Sequence, residues 1–183
     1  MNLRNSVQRF AQETITDPYG IGSSFLAHFS VFDDEKSSGL STRRRILETL
    51  PTVSMYSTNC ITHAGKQYIV GSPNYDYHRG TSVRVKYPII PCDFQYKLAT
   101  ILQILTSAVT TTVTYASIDQ IKNSVADSET SSAVTGYVAY LTPNTVVTKG
   151  QILISGSFYY RVKSDPWIDG AGFVNVELVL LTS

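Results

Sequence analysis

Charge is scarce in this chain. Only 16% of its 183 residues are Asp, Glu, Lys or Arg, against about a quarter in an average soluble domain. The 15 basic and 14 acidic residues leave a formal net charge of +1. No global field therefore points to nucleic acid or an anionic membrane. A surface this poor in charge is tolerated when part of it is covered by a partner. Cys60 and Cys92 are the only cysteines, too few for a disulfide scaffold, and a reducing, intracellular origin is the simplest reading. No stretch reaches the roughly 18 uninterrupted apolar residues of a membrane span. No apolar run follows Met1-Asn2-Leu3-Arg4-Asn5, so no secretory signal and no membrane contact are expected. Alanine is also sparse, at 10 residues, which weakens the case for a helical protein.

What the chain has instead is β-branched and aromatic. Val, Ile, Thr, Tyr, Phe and Trp together make 71 of the 183 residues. Such side chains suit a pleated, half-buried surface, and the expected class is mainly β: a small antiparallel β-barrel or sandwich. One helix is expected, over residues 2–15. Leu3, Val7, Phe10 and Ala11 recur at spacings of three and four on one helical face. Asp17-Pro18-Tyr19-Gly20 stops it, because proline cannot continue a helix and glycine permits a turn. Leu3, Val7 and Phe10 are candidates for docking on the same domain or on a neighbouring subunit.

Strands are expected at 24–31, 43–50, 66–70, 82–90, 133–141, 151–154, 158–162 and 173–181, separated by Gly, Pro, Asn and Ser clusters. The polar segment 32–42 between the first two is too long for a tight turn and reads as a long hairpin loop. Pro88 and Pro91 mark the end of the fourth strand as an edge or an exit. Residues 93–125 read as ambiguous: Leu98, Ile101, Leu102 and Leu105 fit a helical face, Thr110–Thr114 fits a strand, and Ile118 with Ile121 fits a short helix.

An internal echo accompanies this pattern. Shifted by 91 residues, 61–90 overlays 152–181 without a gap: Ile61 meets Ile152, Gly65 meets Gly156, Tyr68 meets Tyr159, Val83 meets Val174 and Val85 meets Val176. Each segment reads as strand, glycine turn, strand, long loop, strand. The domain reading is thus a helix at 1–16 and one β-rich domain at 17–183. The echo allows two similar halves within that domain, about 24–92 and 133–183, joined by 93–132.

Chemistry-bearing motifs are few. Cys60-x-x-His63 with His78 and Cys92 is formally a four-ligand set, but its spacing matches no compact zinc motif. Gly20-Ile21-Gly22 lacks the third glycine of a dinucleotide loop. There is no P-loop and no nucleophile elbow. Asp33-Asp34-Glu35 reads as a solvated loop. No catalytic residue, metal site or cofactor is expected, and the chain reads as a non-enzyme. Tyr75, Tyr77 and Trp167 are the side chains that a sugar-binding platform would use. The strongest local charge feature is Arg43-Arg44-Arg45, with Lys36 nearby. Three guanidiniums neutralise phosphates or pair with carboxylates. On a strand, Arg43 and Arg45 face one side and Arg44 the other. Asp33, Asp34 and Glu35 across the hairpin, a subunit contact, or passing DNA are the partners this run suits.

Three segments carry a family resemblance: Met1–Phe10, the stretch Gly156-Ser157-Phe158-Tyr159-Tyr160-Arg161-Val162, and Trp167–Leu181. Together they resemble the neck proteins of tailed bacteriophages, the head-closure (stopper) and related head-to-tail connector subunits. The resemblance covers about half of the chain. It implies a structural ring, six- or twelve-fold, below the portal and adaptor, joined to tail proteins. It implies a place in the virion neck or tail after assembly in the host cytoplasm. The packaged double-stranded DNA would pass through its channel, with Lys36, Arg43, Arg44 and Arg45 facing the lumen or a neighbouring subunit. The extra region 93–132 departs from the small stopper pattern and leaves tail terminator, tail tube and decoration protein as alternatives, with a carbohydrate-binding module further off.

Overall fold

The computed structural model describes residues 13–16, 24–31, 43–53, 55, 60–92, 94–100, 110–123 and 134–181. Fourteen strands run through them. The first seven are β1 (Glu13–Thr16), β2 (Ser24–Val31), β3 (Arg45–Thr49), β4 (Cys60–His63), β5 (Lys66–Val70), β6 (Asn74–His78) and β7 (Thr81–Cys92). The second seven are β8 (Phe94–Thr100), β9 (Thr110–Asn123), β10 (Val134–Leu141), β11 (Ile152–Ser155), β12 (Phe158–Val162), β13 (Trp167–Ile168) and β14 (Val174–Leu181).

The protein is mainly β, in two curled antiparallel sheets of identical topology. The first runs β3-β2-β1-β4-β5-β7-β6 and the second β10-β9-β8-β11-β12-β14-β13. β3 also pairs with β7, and β10 with β14, so each sheet curls back on itself. The equivalence extends to individual residues. Leu47 lies between Phe29 and Tyr87 in the first sheet, as Ala139 lies between Ile118 and Val176 in the second. Thr16 lies between Ser24 and Thr62, as Lys97 lies between Val113 and Ile154. The two halves are one strand plan used twice.

Alternation explains each half. In β7, Val85, Tyr87 and Ile89 point into the first core with Leu47, Ile61, Tyr68 and Val70. In β14, Val174, Val176 and Leu178 point into the second with Ala139, Leu141, Leu153 and Val162. The period of two leaves Ile90 and Cys92 on the opposite face of β7. They pack with Cys60 and Ile69 against Tyr115, Val138, Tyr140, Ala171 and Phe173 of the second half. This third core is the seam between the halves. At about 25 cal/mol per Å² of apolar area removed from water, a seam that buries Phe173 completely is a firm junction.

Several expectations need correction. Glu13–Thr16 is strand, so the helix expected over 2–15 does not reach its end; the rest of it, with Leu3, Val7 and Phe10, lies outside the described residues, as do Lys36 and the loop 32–42. Residues 94–100 and 110–123 are strands β8 and β9, which settles for strand the positions around Leu98 and Ile118 that also fitted a helical face. β8 is paired on both sides, to β9 and β11, which sheet pairing favours over a weak helical period. β7 does not end at its prolines: Pro88 lies opposite Ile46 and Pro91 opposite Tyr68. The Pro88 carbonyl still accepts from the Gly71 amide at 2.8 Å. The connection 71–81 holds strand β6 rather than a plain loop. The register also shows that the offset between halves is not constant: Tyr68 corresponds to Tyr160 and Val85 to Val174.

Candidate functional site

The arginine run enters β3 at the seam. Alternation places Arg44 on the face of β3 that turns to the seam, with Ile46 and Glu48, and Arg43 and Arg45 on the other. Arg44 is 7% exposed. Its Nη2 donates to Asp169 Oδ2 in a buried ion pair. Its guanidinium also lies 5.4 Å from the ring centre of Tyr140 and 5.6 Å from that of Phe173, within cation–π range. Asp169 is held in turn: its Oδ1 accepts from the amides of Ala171 and Phe173 at 2.9 and 3.1 Å. Such side-chain-to-backbone bonds are why Asp suits this turn. Arg43 Nη2 donates to Asp119 Oδ1, to Ser117 Oγ at 2.7 Å and to the Ile118 carbonyl at 3.3 Å. Two consecutive arginines of the first half thus bind the second half at two points.

The backbones meet just as closely. Ser72 N donates to the Ala171 carbonyl at 2.8 Å. A Cβ on Gly71 would stand 2.3 Å from that same oxygen, so only glycine fits. Gly172 combines φ +83° with a Cβ position 1.9 Å from Ser72 Oγ, excluding a side chain twice over.

Arg45, at the start of β3, is exposed. With Arg43, Lys66, Thr62, Gln67 and Tyr68 it lines an open basin of about 710 Å³. Arg45 and Lys66 are both exposed. A basin with cations on its wall suits an anionic ligand such as a phosphate. On the far side of the first half, Arg84 donates to Asp76 at 2.9 Å and to Glu48 at 2.9 Å, and Lys86 lies 3.1 Å from Asp76. Burial raises the Asp76 carboxyl, but bonds from Lys86 and Arg84 and their positive charges outweigh it and hold the group below its ordinary value. Burial lowers Arg84, and its bond to Asp76 with the charges of Glu48 and Asp76 more than reverses that. At the seam, burial alone pushes the Tyr115 hydroxyl up.

Of the four cations proposed for a lumen or subunit contact, Arg43 and Arg45 line the basin, Arg44 is inside the seam, and Lys36 is not described. Among the described residues the acids that Arg43 and Arg44 meet are Asp119 and Asp169. Asp33, Asp34 and Glu35 are not among those residues. Sequence reasoning missed Asp119, Asp169, Tyr140 and Phe173, which lie far along the chain from the arginines. The signal available was Asp169 before a glycine in the second echo segment; the strand register places it where Asp76 stands in the first. Cys60 and Cys92 are buried and not joined in a disulfide. His63 is stacked on Phe29 at 4.4 Å and His78 is exposed. The formal four-ligand set does not converge, and no metal-binding cluster occurs among the described residues. Tyr77 and Trp167 are exposed, but they belong to different halves, on β6 and β13. Compared with known proteins, the chain matches no family model, no curated protein and no solved structure.

Proposed function

We propose that this chain is a structural, non-enzymatic subunit of a tailed-phage neck, forming a ring that joins head to tail and helps retain packaged DNA. The observation that carries the ring part is the seam. One strand plan is used twice, and the halves meet through unlike faces: β5 and β7 of the first against β9, β10 and the β13–β14 turn of the second. Contacts between unlike faces of like units are the kind that propagate, closing into rings when the rotation closes. The phage assignment rests on the resemblance at Met1–Phe10, Gly156–Val162 and Trp167–Leu181. The finer shape belongs to the same reading: each curled sheet is a small β-barrel module.

In this reading Arg44 is a structural arginine that fixes the two modules to each other. DNA contact falls to Arg45 and Lys66 on the basin wall, with Arg43 beside them. The portal or adaptor, tail proteins and passing duplex are the partners. The test is mass by light scattering across concentration, alone and with portal and neck proteins. A discrete six- or twelve-fold species supports the reading. A protein that stays a single chain with every partner overturns it. A carbohydrate-binding module is the second reading, favoured by the 41% exposed Trp167; it requires a Trp167 fluorescence change on glycan addition from a monomer.

A further inference from the structure

The internal repeat identifies two surfaces that meet no counterpart among the described residues. Register places Ile152, Arg161, Val179 and Leu181 of the second half where Cys60, Ile69, Ile90 and Cys92 stand in the first. In the first half those four positions are seam core. In the second, Ile152 is buried, Arg161 and Val179 are exposed, and Leu181 is half-buried. Val179 is 43% exposed and its neighbour Tyr159 42%. Call this the trailing face. Conversely, Val138, Tyr140, Asp169 and Phe173 of the second half stand where Ile46, Glu48, Asp76 and Arg84 stand in the first. In the second half these receive the seam. In the first they form the outward network of Glu48, Arg84 and Asp76, with Ile46 half-buried beside it. Call this the leading face.

We infer that a second copy of this chain docks its trailing face on this leading face, repeating between chains the contact that the seam makes within one. One observation selects a second copy as occupant. The faces continue an interface already built in this fold, at equivalent residues on equivalent strands. Where the seam core has Ile69, the trailing face carries Arg161; where it has Tyr140 and Phe173, the leading face carries Glu48 and Arg84, paired with each other. Both free faces are more polar than the seam, as suits a contact that forms between separately folded chains. An exchange of apolar for charged contacts lowers the hydrophobic contribution and adds dependence on salt and register. The inference deepens the ring reading and rests on it only for closure. Each chain would supply two modules, so a ring of such chains holds twice as many modules as chains.

Val179→Asp damages the trailing face and Glu48→Arg the leading face. Ile46→Lys is a second lesion on the leading face, to be used if Glu48→Arg does not fold. Each variant is first checked for an unchanged melt and far-UV spectrum, then weighed by light scattering across concentration. The wild type is expected to gain mass with concentration, and each variant alone to remain one chain. A mixture of Val179→Asp with Glu48→Arg is expected to give two chains and stop, since the pair keeps one sound face of each kind. Variants that assemble like the wild type overturn the inference and leave the ring reading standing. A mixture that stays at single chains overturns the head-to-tail contact. A two-chain mixture beside a wild type that grows without a discrete limit upholds the contact and overturns the ring. A wild type that never associates overturns the contact itself.

Discussion

Arg44 and Asp169 stand 125 residues apart in sequence and form the buried ion pair that crosses the seam. Each belongs to a different copy of the same strand plan, so the pair joins the repeats and is internal to neither. Removing one member of such a pair strands the other charge in a site that excludes water, which costs about 3–5 kcal/mol. Arg44→Ala is expected to lose stability on that scale by urea denaturation. It should also expose Cys60 and Cys92 to a thiol reagent at lower denaturant than in the wild type, because both thiols lie in the seam core. Unchanged thiol protection would show that the seam holds without the pair.

Asp169 has two tasks, so its replacements should separate them. Asp169→Asn keeps an oxygen for the Ala171 and Phe173 amides but removes the charge facing Arg44. Asp169→Ala removes both. The alanine variant is expected to be the less stable by about 1 kcal/mol or more, the worth of a turn-capping oxygen. Equal midpoints in denaturant would mean that the turn bonds contribute nothing.

Gly71→Ala places a methyl group 2.3 Å from the Ala171 oxygen. The two loops must part, and the Ser72–Ala171 bond stretches with them. A loss of about 1–3 kcal/mol is expected, as for overpacking elsewhere. Gly136→Ala is the control, since the nearest atom to its Cβ position is 3.9 Å away.

Asp76 gives a pH dependence of defined sign. Its folded pKa lies below the ordinary 3.8, so its contribution is complete above that value and is lost as pH falls through the depressed folded value. Asp76→Asn should therefore be less stable than the wild type at neutral pH, and the gap should narrow in acid below about 3.8. Melting temperatures measured from pH 7 down to pH 2 check this. A constant gap would detach the effect from Asp76 ionisation.

Arg45→Ala with Lys66→Ala removes two exposed cations and should alter stability by no more than about 0.5 kcal/mol. If the basin meets duplex DNA, the salt dependence of binding should flatten by about one counterion per lost phosphate contact. Fluorescence anisotropy at several salt concentrations reads this directly. An unaltered slope would remove Arg45 and Lys66 from the DNA reading.

The individual strands were legible where alternation was strong. The segments 82–90 and 173–181 alternate apolar with polar positions, whereas Ser24–Val31 does so imperfectly and Lys66–Val70 and Phe158–Val162 are short β-branched and aromatic runs between turn residues. Strands β1, β4, β6 and β13 have two to five residues, too short for a period to register. β8 was obscured because Leu98 and its neighbours fit both periods, and only its pairing to β9 and β11 decides between them. The echo between 61–90 and 152–181 was visible, but its single offset was an average over strands joined by turns of unequal length.

Composition and alternation by themselves determined a mainly β chain, the inward and outward faces of its longer strands, and the opposed directions of Arg43 and Arg44. These follow from local geometry, since successive side chains of a strand must point to opposite faces. Only the tertiary structure decided that the plan is used twice, that Arg44 meets Asp169 and Arg43 meets Asp119, and that Ile90 and Cys92 lie in a seam while Val179 and Leu181 hold the same places outside it. Such facts depend on which distant strands pair. Backbone pairing is chemically the same for many partners, so the choice rests on how whole faces pack once the sheets have curled.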